Sequence, residues 1–249
     1  MILKKICISV RILILFIVMV VMLAGYRLAT MTVIKHTVKR GIRLRRAYLI
    51  IANFVLGFKI MVEGKPPVTP ALYVSNHRGI LDFFATLRYL DAYVLSKAEV
   101  RDIFLLGKAS ELTGIFFVQR ESKDSRKATR KAIIQILKSG YNVLIYPEGT
   151  TNTKRTTAPF KPGAFEEVAK HGFPVVPIAQ EYKDKSDLWD DESIVEQMTR
   201  QFGKCFTYTK LAFGPVIQSD DPQYLLEESK KWIDNKLLEM QKNWSKAYD

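Results

Sequence analysis

Ala71-Leu72-Tyr73-Val74-Ser75-Asn76-His77-Arg78-Gly79-Ile80-Leu81-Asp82 is the stretch on which the reading of this chain turns. Ala71–Val74 has strand character, and Phe83-Phe84-Ala85-Thr86-Leu87 reads as the helix that follows. His77 then sits on the sharp turn at the strand end, with Asp82 in the first turn of the helix. Five residues across such a turn can bring a carboxylate back to one imidazole nitrogen, leaving the other free. A neutral histidine held this way is a ready general base, because its unperturbed pKa lies near ~6.5. No serine is placed to act as nucleophile, so the substrate would bring its own hydroxyl. The plain alternative is a surface pair or a helix cap, and the stretches further along the chain weigh against it.

Strands and helices alternate beyond this turn. Strands are predicted at Ala71–Val74, Tyr93–Leu95, Phe116–Val118, Val143–Tyr146, Val175–Ile178 and Thr207–Phe213. Helices are predicted at Leu81–Tyr89, Asp124–Leu137, Gly163–Lys170 and Tyr224–Trp244. This is the pattern of an α/β domain with a largely parallel sheet covered by helices on both faces. Ligands of such sheets gather at the carboxyl ends of strands. Pro177 is awkward for the centre of a strand and is expected at an edge or bulge. Glu181–Phe202 is polar, without a clear period, and reads as an excursion from the sheet.

The net charge of +13 suggests a nucleic-acid partner until it is located. Residues 1–62 hold eleven Lys or Arg and no Asp or Glu, whereas the remainder holds 27 basic and 25 acidic residues. The basicity is thus interleaved with the apolar runs of the amino-terminal segment, which suits an anionic membrane surface. No zinc finger, helix-turn-helix or RNA-binding aromatic motif is present, and no nucleic-acid partner is expected. Ile6–Ala24 is apolar apart from Ser9 and Arg11. As a helix of ~20 residues it reaches ~30 Å, one hydrocarbon thickness. A spanning or deeply inserted anchor is expected rather than a cleaved signal peptide, and the cations that follow it place the rest of the chain in the cytoplasm. Ala47–Val62 reads as a helix in the interface, or else as the first core helix. The expected division is a membrane anchor over 1–62 and a catalytic domain over 63–249, starting after Gly64-Lys65-Pro66-Pro67. The helix Asp124–Leu137 carries Arg126, Lys127, Arg130, Lys131 and Lys138, a solvated face or one near anionic lipid. Cys7 and Cys205 make no metal spacing, and the three histidines are scattered, so neither a disulfide framework nor a metal site is expected.

Two more strand ends carry chemistry. Gly114-Ile115-Phe116-Phe117-Val118-Gln119-Arg120 puts a guanidinium, suited to phosphate or carboxylate, just past an apolar strand. Val143-Leu144-Ile145-Tyr146-Pro147-Glu148-Gly149-Thr150-Thr151 ends in a turn whose glycine permits close backbone approach and whose amides and hydroxyls can cradle an anion. Lys154, Arg155 and Lys161 would add positive charge.

Taken in order, these stretches resemble the sequence blocks of the glycerolipid acyltransferases. Asn76-His77 followed by Asp82 is similar to their N-H-x-x-x-x-D block, and Gly114…Phe117…Arg120 to the second. Glu148-Gly149-Thr150-Thr151 is similar to the third, Val175-Val176-Pro177 to the fourth, and Phe160-Lys161-Pro162-Gly163-Ala164-Phe165 to the run after the third. Together they cover roughly residues 70–180, in the manner of the bacterial-type 1-acyl-sn-glycerol-3-phosphate acyltransferases. Gly79 stands where the family often has a small polar residue. The resemblance implies transfer of a fatty acyl group from acyl-CoA or acyl-carrier protein, as co-substrate and with no other cofactor, to the sn-2 hydroxyl of lysophosphatidate. It implies His77 and Asp82 as the catalytic pair. Arg120 is expected on the phosphate, and Glu148, Gly149, Thr150 and Thr151 around the acceptor and carbonyl. Asn76, Arg78 and Lys97 are further substrate-binding candidates. Other acceptors, namely glycerol 3-phosphate or a lyso-aminolipid, stay open, as do a thioester hydrolase and a non-catalytic membrane-tethered lipid-binding module.

Overall fold

The computed structural model describes residues 2–67, 70–97, 107, 110, 112–118, 123–190 and 192–248. Two long helices lead, α1 (Ile2–Thr32) and α2 (Val38–Val55), and the first strand, β1 (Phe58–Glu63), follows directly. Then come β2 (Leu72–Ser75), the short α3 (Asp82–Thr86), β3 (Ala92–Lys97) and β4 (Ile115–Val118). After these stand α4 (Lys123–Lys138), β5 (Asn142–Ile145), α5 (Gly163–Lys170) and β6 (Val175–Tyr182). A 3₁₀ turn at Lys185–Asp187, α6 (Ile194–Phe202), β7 (Thr207–Phe213) and α7 (Pro222–Gln241) complete the order.

The strands form one seven-stranded sheet in the order β1-β7-β6-β2-β5-β3-β4. Every neighbouring pair is parallel except β6 and β7. Side chains alternate across β2 as a pleated strand requires. Leu72 and Val74 pack in a core with Ile133 and Leu137 of α4, Phe165 of α5 and Leu225, Ile233 and Leu237 of α7. Ala71 and Tyr73 face a second core with Leu49 of α2, Leu87 and Leu90. Both faces are therefore covered, which explains the apolar runs Ala71–Val74 and Val175–Ala179 at β2 and β6.

Three local expectations are corrected. Ala47–Val62 is not one helix: Gly57, at φ +70°, turns the chain off α2 and into β1. β1 pairs with β7 from Phe58↔Thr207 to Glu63↔Ala212, so it straddles the expected division at residue 62. α2 is a core element as much as a surface one, since Ile42, Leu49 and Ala52 are buried. Arg45, one of the cations that follow the first apolar run, is buried too. It donates to the carbonyls of Ala92 (2.6 Å) and Thr113 (2.8 Å), and burial lowers its pKa to about 10. Pro177 lies in an interior strand rather than at an edge. It is tolerated because it sits at the end of the β6–β7 ladder, which starts at Ile178: its carbonyl still accepts the Gly214 amide (2.8 Å), and only the bond that its own nitrogen would have donated is lost.

Candidate active site

The site is built at the carboxyl end of β2. His77 Nδ1 lies 2.7 Å from Asp82 Oδ2, so the five-residue turn closes as the sequence suggests. The same oxygen accepts the backbone amides of Arg78 (2.6 Å) and Gly79 (2.9 Å). Its partner Oδ1 accepts Tyr182 Oη (2.9 Å) and Gln180 Nε2 (3.2 Å). Asp82 is fully buried, and five donors compensate that burial; a carboxylate so satisfied is an acceptor of fixed position. With Nδ1 committed to it, Nε2 is the nitrogen available to a substrate. The His77 side chain is 23% exposed whereas that of Asp82 is 0%, so the imidazole is open to the surface and the carboxylate is not.

The imidazole plane is set by Tyr146, stacked at 4.2 Å between centroids. The backbone is set by the third block: Glu148 Oε1 accepts the His77 amide (2.9 Å) and Oε2 the Ala158 amide (2.8 Å), while the Asn152 amide donates to the His77 carbonyl (2.8 Å). Burial raises the Glu148 carboxyl above its usual range, and those two amides oppose the rise.

Several expected ligands have other duties. Glu148 braces the His77 turn rather than facing open space. Asn76 is buried and exchanges two 2.8 Å hydrogen bonds with the Gln180 backbone, tying β2 to β6. Arg78 is 1% exposed. Its guanidinium donates to the carbonyls of Asn152 (2.8 Å), Lys154 and Arg155 (3.1 Å) and to Glu181 Oε2 (3.0 Å). Asn76 and Arg78, expected on the substrate, thus spend their side chains as clamps within the fold. Gly149 takes φ +76°, and a Cβ there would stand 2.2 Å from Lys161 Nζ, so this ammonium lies over the turn. Thr150 is exposed and Thr151 half-buried beside it. Lys97 closes β3, two strands from β2. Arg120 lies outside the described residues.

Gln180, Glu181, Tyr182 and Tyr146 are the site residues that the sequence reading missed. Burial foremost, with the Asp82 charge beside it, holds the Tyr182 phenol well above its usual pKa, so it stays protonated and donates. The excursion after β6 is a wall of the site: Trp189 N donates to the Arg78 carbonyl (2.7 Å) and Ile80 N to Gln197 Oε1 (3.1 Å). A Cβ on Gly79 would meet Gln197 Nε2 at 3.0 Å and Asp187 O at 3.1 Å, so this wall leaves little room for a larger residue there. An apolar cleft of about 150 Å³ opens beside α3, between Met19 and Met22 of α1, Tyr48 and Leu49 of α2, and Phe83 and Phe84. Among the described residues no group of His, Cys, Asp and Glu could hold a metal.

Residues 59–181 match the family model described as Acyltransferase. This stretch, just under half of the chain, is thus similar to the acyltransferase family. Within it lie most of β1, the His77 turn, the Glu148 turn and most of β6. The chloroplastic 1-acyl-sn-glycerol-3-phosphate acyltransferase of Arabidopsis thaliana is 35% identical over 126 residues, which is 49% of this chain and 35% of that protein. The lyso-ornithine lipid O-acyltransferase of Pseudomonas aeruginosa is 35% identical over 141 residues, 57% of this chain and 54% of that protein. The match therefore spans about a third to a half of these relatives' lengths. The crystal structure of the 1-acyl-sn-glycerophosphate acyltransferase from Thermotoga maritima superposes with a TM-score of 0.71 at 17% identity, covering 98% of this chain and 100% of that one. This likeness is one of fold, and it extends beyond residues 59–181 to the helices at both ends.

Proposed function

We propose that the protein moves a fatty acyl group from a coenzyme A or carrier-protein thioester to the sn-2 hydroxyl of lysophosphatidate, giving phosphatidate. The observation that carries the reading is the His77–Asp82 contact, with Nε2 the remaining imidazole nitrogen. His77 removes the hydroxyl proton through Nε2 as the oxygen attacks the thioester carbonyl; the tetrahedral intermediate expels the thiolate, which takes that proton back. Asp82 holds the tautomer and stabilises the imidazolium. The amides of Thr150 and Thr151, which have no hydrogen-bond partner among the described residues, are proposed to serve a developing oxyanion. Lys161 and Arg120 are proposed to hold the acceptor's phosphate, with Lys97 a further cation on the same sheet edge. The apolar cleft beside α3 is proposed to take an acyl chain.

The membrane reading rests on α1 and α2. Lys5–Thr32 is long and apolar enough to cross a bilayer, and 6% of its most apolar window is buried. Val21 and Leu28 of α1 and Phe54 of α2 are exposed. Arg11, however, donates to the carbonyl of Phe202 (2.8 Å), and Leu15 is buried, so α1 runs against the catalytic body along its first half. That favours a helix lying in one leaflet over one standing free across it. The catalytic domain is proposed to face the cytoplasm at that surface.

The test is acceptor dependence. Purified protein with labelled acyl-CoA should form labelled phosphatidate from lysophosphatidate and release little free fatty acid. Release independent of acceptor would make it a thioester hydrolase. The similarity to a lyso-ornithine lipid O-acyltransferase keeps a second acceptor class in view, and preference for that lipid in competition would replace the phosphate reading.

A further inference from the structure

A second cavity, of about 620 Å³, lies under the carboxyl-terminal tail, lined by Arg155, Gln241, Lys242, Trp244, Lys246 and Tyr248 among others. Its walls are fixed by the fold. α7 ends at the carboxyl end of β6, where Gln241 Nε2 donates to Glu181 Oε2 (2.8 Å). Asn243, at φ +53°, turns the chain off the helix. The tail is then tied back by Ser245 Oγ to the Tyr182 carbonyl (2.8 Å) and Lys246 N to the Lys183 carbonyl (2.7 Å).

The charges are arranged unevenly. Glu181, behind the lining residues Gln241 and Tyr248, is fully buried and already accepts from both of them, from Arg78 and from the Tyr182 amide. At the rim, Arg155, Lys242 and Lys246 are exposed, and none forms an ion pair with a described carboxylate. Aromatic faces lie among them: the Arg155 guanidinium is 5.7 Å from the Tyr248 centroid, and Lys210 Nζ is 4.5 Å from that of Trp244. Gln241 Oε1 is buried with no hydrogen-bond partner. Three cations, two aromatic rings and an amide in one concavity match a phosphorylated compound with a flat ring. The volume falls in the small-molecule range of roughly 300–1,000 Å³, and a folded carrier protein would need a broader surface.

The cavity is also on the right side of the sheet. β2 and β6 are parallel neighbours, so it opens at the edge that carries His77. Residues 152–155 join the two places, Asn152 N bonding to the His77 carbonyl and the Asn152 and Arg155 carbonyls to the Arg78 guanidinium. We propose that this cavity holds the nucleotide end of a coenzyme A thioester, its phosphates on Arg155, Lys242 and Lys246 and its adenine against Trp244 or Tyr248. The pantetheine arm then follows the 152–155 loop to His77. The proposal rests on the acyl-transfer reading and adds which donor is used and where its head sits.

The test is calorimetric titration of adenosine 3′,5′-bisphosphate and of coenzyme A into the full chain in detergent. Wild type and His77→Ala should bind alike, and Lys242→Ala/Lys246→Ala should bind about tenfold or more weakly. The double variant should also raise KM for acyl-CoA without changing kcat, and leave KM for an acyl-pantetheine unchanged. Equal affinity of wild type and double variant, or a wild type that binds carrier protein and neither nucleotide, overturns the proposal. A protein that binds coenzyme A through these lysines yet transfers no acyl group keeps the site and removes the acyl-transfer reading.

Discussion

Asp82→Asn is the substitution whose outcome the geometry fixes most closely. Two backbone amides and the imidazole all donate to Oδ2, so an asparagine places its carbonyl oxygen there and its NH₂ at the Oδ1 position. The His77 tautomer is therefore kept, and what is lost is the negative charge facing the imidazolium that forms as the hydroxyl is deprotonated. Nδ1 and Oδ2 are 2.7 Å apart and Asp82 is fully buried, which puts the charge centres about 4 Å apart and beyond solvent screening. At an effective dielectric constant of ~20 that interaction amounts to about 4 kcal/mol, and the difference between a charged and a neutral hydrogen bond sets a floor near ~1.5 kcal/mol. The expected fall in kcat is thus about 10- to 1,000-fold. Stability should drop by only ~1–2 kcal/mol, because the new NH₂ meets the Gln180 amide and Tyr182 must turn its hydroxyl to accept. The assay is kcat at saturating lysophosphatidate, with thermal unfolding and the ¹⁵N shifts of His77 on the same sample. A folded variant losing less than about threefold, or one whose imidazole changes tautomer, would refute the reasoning.

Gly149→Ala should cost ~1–2 kcal/mol for a left-handed φ, push Lys161 away and raise KM for a phosphate-bearing acceptor; Lys161→Ala should raise the same KM without the stability loss. Glu148 has a folded-state pKa raised by burial, so the native protein binds its proton more tightly than the unfolded chain. Its contribution to stability is full below the usual carboxylate range near 4.5 and falls as pH rises through the folded-state value, so wild type minus Glu148→Gln, followed by denaturant melts, should slope downward there. Polar substitution of Val21, Leu28 and Phe54 should abolish binding to anionic vesicles while sparing turnover of a short-chain acceptor in solution; equal loss on both would count against the membrane face.

The parallel sheet was legible because its strands are short apolar runs separated by helical periods, and the His77 turn because strand, turn and helix adjoin in sequence. β1 was not, because Phe58-Lys59-Ile60-Met61-Val62 continues the apolar run that starts at Ala47, and a lone glycine such as Gly57 does not by itself mark the end of a helix. α6 did leave a sign, the Ser193-x-x-Glu196 capping box, which the structure forms in full. Gln180 and Tyr182 could not be found by spacing, since about 100 residues separate them from Asp82 and only the β6–β2 pairing brings them together. Arg78 and Asn76 show the reverse: a polar residue beside a candidate base looks like a ligand in sequence, yet each spends its side chain on hydrogen bonds within the fold. The two helices on either side of the membrane question were separable by composition, but the contact of Arg11 with the end of α6 depends on tertiary structure alone.

The most direct measurement is the turnover of His77→Ala with labelled acyl-CoA and lysophosphatidate. General-base catalysis through Nε2 requires a loss of ~10²–10⁴-fold in kcat with the fold intact, because the side chain is partly exposed and its loss opens no large cavity. A folded variant that keeps more than about a third of wild-type turnover would contradict the account.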